Sequence, residues 1–519
     1  MRGRNPHERA REFLRDAHLY RLGALPTERP HPKTRKLSRW ARDDVPRAVS
    51  VLKEIDIRAL ETLERYAPHI DDLSRAVEET LARGKRVFLC GCGATGRLSL
   101  SLESLWRERH GGEDQVNAFM AGGDVALVRA LEGFEDHPAY GARHLEEMGF
   151  ADGDLLISCT EGGETPYVIG ATERAAEISS NPPYFLYCNS DAALAHQVAR
   201  FRRVRDNRRI NRICLHVGSM ALAGSTRMQA STVLQLAVGL ALLHGGEPAA
   251  ERIRGFRRRV EATDLSFLTG FIQKESDIYA AGNRLIYRVR DYGITVLTDT
   301  TERAPTFSLI PFERFEDPLS THSLCYVALE EAHEPAEAWV RLLNRPPRSL
   351  DWPEVDPRTT PGHLRGFDFS TRAVASRQRL IPDRRHHEFH IWRTSTGIGF
   401  RLDGLAHNMA VNGLPDLFQH LLLKQVLNIH STVVMGRLGR YESNIMTWVS
   451  PTNGKLVDRA TRYVEHLLAG AGQAETRYEE IVRQLFAEMD VIEPGESVVL
   501  RTYRALSRRR RSRLRSTSA

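Results

Sequence analysis

The chain has 519 residues, 41% of them hydrophobic, with 73 Lys plus Arg against 66 Asp plus Glu and a formal charge of +7. That length excludes a single small domain and favours two or more. Six scattered cysteines exclude a disulfide framework. No run of about 18 apolar residues occurs and the N-terminus lacks an apolar leader core, so a soluble, cytoplasmic protein is expected.

Residues 1–80 read as helical, interrupted by the proline-bearing segment "LGALPTERPHPKTRKLS" from Leu22 to Ser38. From Lys85 the pattern changes. "RVFLCG", "QVNAFM", "DLLISC", "PYFLYC" and "RICLHV" are short apolar runs separated by amphipathic stretches. Strands alternating with helices imply a parallel sheet covered on both faces. The apolar helix "STRMQASTVLQLAVGLALLHGG" closes this unit, and a second series follows, with "GITVLTD", "CYVALE", "GFDFST" and "HEFHIWR" as strands. The last hundred residues return to helix. The expected plan is an N-terminal arm (1–80), a first α/β domain (81–248), a second, divergent one (249–415), a helical lid (416–506) and a disordered tail (507–519). Six arginines between Arg508 and Arg515 carry most of the net charge. Without interleaved aromatics they read as a solvated end before a nucleic-acid contact.

Gly91-x-Gly93-x-x-Gly96 follows a strand and opens a helix, the setting of a phosphate loop. A nicotinamide site also needs an acid at the end of the second strand. Glu113 and Asp114 precede that strand and Asp124 follows too late, so a dinucleotide is disfavoured. Thr95 and Arg97 add a hydroxyl and a charge to the loop. Cys90 and Cys92 have no partners for a metal and read as strand residues. No cofactor and no metal are expected.

"GCGATGRLS" resembles the "GAGTSGRLG" loop of the N-acetylmuramic acid 6-phosphate etherases, members of the SIS (sugar isomerase) superfamily. "AGGDVALVRALEGFED", "TPYVIGATERA", "AGSTRMQASTVLQL" and "QVLNIHSTVVMGRLGRYESNIMTWVSPTNGKLVDRATRYV" resemble further etherase motifs in the same order. A long insertion between Gln235 and Gln425 holds the second α/β series, and the resulting order resembles the double-SIS glucokinase regulatory protein. The resemblance implies two flavodoxin-like, three-layer SIS domains between a helical arm and a helical cap. It also implies pairing of the two within one chain, as a monomer or homodimer, a phosphorylated sugar as ligand and, by analogy, a sugar kinase-like protein partner.

The etherase reaction needs a base for a carbon-bound proton and an acid for the departing ether oxygen. The family uses the Glu ending "LDASE" and the second Glu of "EGAED". The second corresponds to Glu135. The first falls on Leu105, and Glu103, two residues earlier, faces another way on a helix. Where the etherases read "AASGRTPYV", this chain has "TEGGETPYV", with Gly162 for Ser and Glu164 for Arg, and Gln229 replaces a Lys. Gly93, Thr95, Gly96, Arg97, Thr160, Ser225 and Thr226 remain as candidate phosphate contacts, with Arg227 beside them, and Thr298, Thr300 and Thr301 as a possible anion turn in the second half. Loss of the acid with retention of the anion loop points to a sugar-phosphate sensor or regulator. The alternative is a lyase, etherase or isomerase with a relocated acid, for which His216, His322, His407 and His430 are candidates. A nucleic-acid partner for the arginine tail is the third reading.

Overall fold

The computed structural model describes residues 5–20, 22–317, 321–493 and 495–517. Five strands, β1 (Val87–Gly91), β2 (Val116–Met120), β3 (Leu155–Cys159), β4 (Tyr184–Tyr187) and β5 (Asn211–Cys214), form a parallel sheet in the order β2-β1-β3-β4-β5. Every residue of β1, β2 and β3 is buried, which is why these strands read as unbroken apolar runs. The strand order reverses between β1 and β3. Their carboxyl ends therefore open a crevice there, the usual place for a ligand in an open α/β sheet.

A second sheet contains β6 (Arg284–Val289), β7 (Cys325–Leu329), β8 (His386–Arg393), β9 (Gly397–Leu402) and β10 (Leu405–Ala410), in the order β10-β9-β8-β6-β7. β6 runs parallel to β7 and β8, whereas β9 and β10 complete an antiparallel hairpin edge. The fold is thus α/β with two sheets, framed by helical N- and C-terminal regions. Among the described residues no helix is long and apolar enough to cross a membrane.

Several sequence expectations change here. "GITVLTD" is not a strand but the start of the helix Gly293–Phe307. Ten of its fifteen residues are buried, so no polar face marks it as helical. The strand preceding it is "RLIYRV", whose two arginines disguised it. "GFDFST" is irregular, touching the sheet through the Leu329 N–H to the Phe369 carbonyl at 2.8 Å. Thr300 and Thr301 lie inside the helix and donate to carbonyls one turn back, and Thr298 donates to Thr295, so no anion turn forms. The backbone of the arginine tail continues the helix Val498–Thr517 instead of being disordered. Val498, Val499 and Leu506 are buried at its start, and arginine is a good helix former. Ser518 and Ala519 lie outside the described residues.

The two sheet units meet on the helix Ala94–Arg109, buried on all sides from Thr95 to Arg107. Glu103, fully buried in that helix, receives Arg107 at 3.1 Å, Arg345 at 2.9 Å and Arg348 at 2.9 Å. Arg345 also reaches Asp124 at 2.6 Å, and Ser104 donates to the Leu342 carbonyl at 3.1 Å. Glu103 therefore clamps the second unit to the first. Removing one partner of a buried ion pair leaves an uncompensated charge, at a cost of about 3–5 kcal/mol. Arg345→Met is expected to destabilise the protein by about that amount in urea unfolding.

Candidate functional site

The glycine loop uses all three glycines for chain geometry. Gly93 adopts φ 57° and ψ −121°, which a side chain would strain. A Cβ on Gly91 would lie 2.3 Å from the Thr95 backbone, and one on Gly96 would lie 2.5 Å from the Met120 side chain. Gly96 is therefore a packing residue that seats the helix on β2. Thr95 is 1% exposed and closes its own loop: its hydroxyl accepts from the Cys92 N–H and donates to the Cys92 carbonyl, both at 2.9 Å. The helix starts at Gly93 without a side-chain cap; Gly93 and Ala94 line the crevice at the positive end of the helix dipole, while the Thr95 N–H donates to the Cys92 carbonyl at 3.2 Å. Asp124, held by Arg345, is not at the end of β2, so nothing there holds a ribose.

Beyond this loop lies a cavity of about 180 Å³. Gly93 and Arg97 line it after β1, Glu135 after β2, Glu161, Gly162 and Glu164 after β3, and Ser225 and Thr226 before the helix Gln229–Leu243. The arm adds Thr27 and Glu28, the helix Gly454–Gly470 adds Lys455 and Arg459, and the second unit adds Glu302. Of the expected contacts, Gly93, Arg97, Glu135, Ser225 and Thr226 come together here. Thr95, Gly96 and Thr160 do not line it; Thr160 is buried with its hydroxyl 3.0 Å from that of Thr165. Leu105 and Glu103 are also outside it, as are His216, His322, His407 and His430. His430 instead pairs with Glu275 at 2.7 Å in the second unit's core. Arg227 also lines the cavity, and its guanidinium donates to Asp299 at 3.2 Å and Thr432 at 2.8 Å, which joins the units.

Glu302 is the residue the sequence reading missed. It sits on the helix Gly293–Phe307, 2.8 Å from Arg97 of the first unit. Its signal was present: "DTTE", Asp299 to Glu302, parallels the "DASE" of the etherase motif, but lies in the second unit where a hydroxyl-rich turn after a strand was expected. Lys455 is the other omission, a lysine in the lid whose role only the tertiary fold reveals.

The carboxylates have unlike environments. Lys455 lies 2.8 Å from both Glu135 and Glu164, and Arg200 also pairs with Glu164. Burial would raise the Glu164 carboxyl, but Lys455 and Arg200 outweigh it and hold it at about 2. Arg459 is paired with Glu28 at 2.7 Å. Glu161 forms no salt bridge among the described residues; burial pushes its carboxyl up to about 7, and the charge of Glu302 adds to the effect. Two carboxylates beside a phosphate site would repel the anion; burial favours the neutral form of Glu161, and Glu164 is ion-paired. The Ser225 hydroxyl is buried and has no hydrogen-bond partner among the described residues, so the cavity keeps a donor for a ligand oxygen beside the loop's N–H groups.

The Glu161 shift has a consequence for stability. Between the ordinary carboxyl value of 4.5 and about 7 the native state holds a proton that the unfolded chain has released. Stability from this group falls as pH rises through that window, by about 3 kcal/mol in all. Glu161→Gln should remove that slope, which urea unfolding of both proteins from pH 4.5 to 7.5 would measure.

Residues 70–176 match a family model described as the glucokinase regulatory protein N-terminal SIS domain. An N-acetylmuramic acid 6-phosphate etherase of Serratia proteamaculans is 30% identical over 220 residues, 42% of this chain and 69% of that protein. A second such etherase, from Vibrio cholerae serotype O1, is 30% identical over 226 residues, 43% of this chain and 69% of the relative. Among solved structures, the tagatose-6-phosphate ketose/aldose isomerase of Escherichia coli aligns over 78% of this chain and 97% of its own, at 12% identity and a TM-score of 0.44. Glycine loop, parallel sheet and matched relatives together make this chain a member of the SIS-domain family of N-acetylmuramic acid 6-phosphate etherases and glucokinase regulatory protein.

Proposed function

We propose that the cavity binds a phosphorylated amino sugar and performs acid–base elimination on it, as an etherase-type lyase. The observation that supports this is that, of the five glutamates lining one small space, three stand in different environments: Glu135 paired with Lys455, Glu302 paired with Arg97, and the raised Glu161. Groups whose environments separate their protonation can divide the roles of acid and base. A sequence with Leu105 at the family's acid position points to binding without turnover. Glu302, entering from the second unit, restores a carboxylate to the site and removes that argument.

In this reading the phosphate rests on the N–H groups after Gly93 and on the Ser225 and Thr226 hydroxyls. Glu135, positioned by Lys455, takes a proton from the carbon next to the ether-bearing carbon. The C–H electron pair becomes the double bond, the C–O bond breaks, and the leaving oxygen takes the proton of Glu161, whose carboxyl burial and the Glu302 charge keep protonated. Glu135 ends protonated and Glu161 ionised, so the step balances.

The regulator reading keeps one observation in its favour: Lys455 is engaged by two of the chain's own carboxylates. A ligand that competes for Lys455 would move the lid helix that carries it, and a sugar kinase-like partner could read that movement. Turnover separates the two readings. With N-acetylmuramic acid 6-phosphate, lactate release is expected from the wild type, and Glu135→Gln and Glu161→Gln are each expected to lower kcat by about 10²–10⁴-fold. Glu302→Gln should lower kcat and shift the alkaline limb of its pH profile downward, because the charge that helps raise the Glu161 carboxyl is lost. Tight binding without lactate release from the wild type would reject the lyase and leave the regulator.

A further inference from the structure

A second chamber adjoins the acid-lined cavity. It measures about 360 Å³ and shares Ala130, Pro305, Met446, Leu456 and Arg459 with the inner cavity. Beyond these, Val128, Leu309 and Val449 form an apolar side, Thr301, Ser308, Ser450 and Thr452 bring hydroxyls, and one charged residue, Arg129, joins them. Arg129 differs from every cation of the inner cavity. Arg97 has Glu302, Lys455 has Glu135 and Glu164, Arg227 has Asp299 and Arg459 has Glu28. Arg129 is half-buried and, among the described residues, has no carboxylate within salt-bridge distance.

Its electrostatic surroundings sharpen the contrast. Arg314, Arg358 and His363 are charged or titratable neighbours, and the nearest acid, Asp317, is already held by Arg314 through both oxygens at 3.1 Å. Arg358 is likewise neutralised by Asp356, at 2.6 Å. Burial and the neighbouring arginines lower the Arg129 pKa, and Asp317, which acts the other way, is already paired with Arg314, so no carboxylate of the described chain is bonded to this guanidinium. A guanidinium lining a chamber with an apolar side suits a ligand carboxylate, which it can grip through two parallel hydrogen bonds.

We propose that Arg129 anchors a carboxylate carried on a short apolar arm of the sugar ligand, with the arm in the outer chamber and the phosphorylated ring in the inner cavity. This rests on the sugar-phosphate reading above and deepens it. The ligand class is a phosphorylated amino sugar bearing an acidic ether or acyl substituent, and Arg129 separates it from the same sugar without that substituent. The guanidinium acts in binding and orientation; no proton passes through it.

Calorimetric titration of the full chain tests this, in the Glu135→Gln background to prevent turnover. The probes are N-acetylmuramic acid 6-phosphate, which carries both anions, N-acetylglucosamine 6-phosphate, which lacks the carboxylate, and N-acetylmuramic acid, which lacks the phosphate. Arg129→Met is expected to weaken both carboxylate-bearing probes by about tenfold or more while leaving N-acetylglucosamine 6-phosphate within about twofold. Arg129→Lys should recover part of the loss. Equal weakening of all three probes would assign Arg129 to general structure, and selective weakening of N-acetylglucosamine 6-phosphate would assign it to the phosphate. Either result, or unchanged affinities, overturns the inference and leaves the lyase proposal standing. Failure of all three probes to bind protein with Arg129 intact would overturn both.

Discussion

A buried carboxylate on a buried helix is the constraint from which the rest follows. Glu103 has no access to water, so it must find cations inside the protein. Arg107 supplies one from its own helix; Arg345 and Arg348 come from the second unit. The helix Ala94–Arg109 consequently has no solvent face and functions as shared core. Its N-terminus points to the cavity while its flank fixes the second sheet. Binding geometry and inter-unit packing are thus set by the same sixteen residues.

That arrangement explains how a carboxylate can leave the first unit without leaving the site. The helices Ala94–Arg109 and Gly293–Phe307 hold equivalent places, each following a strand with neighbours on both sides, β1 and β6. They face each other across the junction, and Arg97 of one meets Glu302 of the other. A glutamate on the second helix lines the first unit's cavity, while position 105 of the first helix is an apolar core residue.

The cavity is assembled from distant sequence. Glu28 comes from the arm, Glu135 and Glu164 from loops of the first sheet, Glu302 from the second unit and Lys455 from the lid. Like charges at this density could not coexist in a small desolvated volume without cations between them. Lys455 and Arg459 provide these from one helix face, as neighbours four residues apart. The lid is thereby an electrostatic part of the site. Its contribution is invisible in its own sequence, where Lys455 looks like an ordinary residue in the first turn of a helix.

How much of this was legible depended on which interactions are local. The five strands of the first sheet, their parallel arrangement and the loop at Gly91–Gly96 were readable, since burial on both faces produces continuous apolar runs and turn glycines are dictated by nearby backbone. The order of motifs was also enough to place the chain beside the etherases. The second unit was less legible: an all-round buried helix looks like a strand in "GITVLTD", and a strand carrying arginines looks like neither. The roles of single polar residues were misread where their partners are remote. Thr95 spends its hydroxyl on its own loop, Arg227 on Asp299, and Glu302 crosses to Arg97. By itself, then, the sequence determined the first sheet, the glycine turn and the family. Only the tertiary structure decided which glutamates share a cavity, because charge pairing inside a protein is settled by proximity in space, and a side chain's partner is fixed only when both units have packed on Glu103.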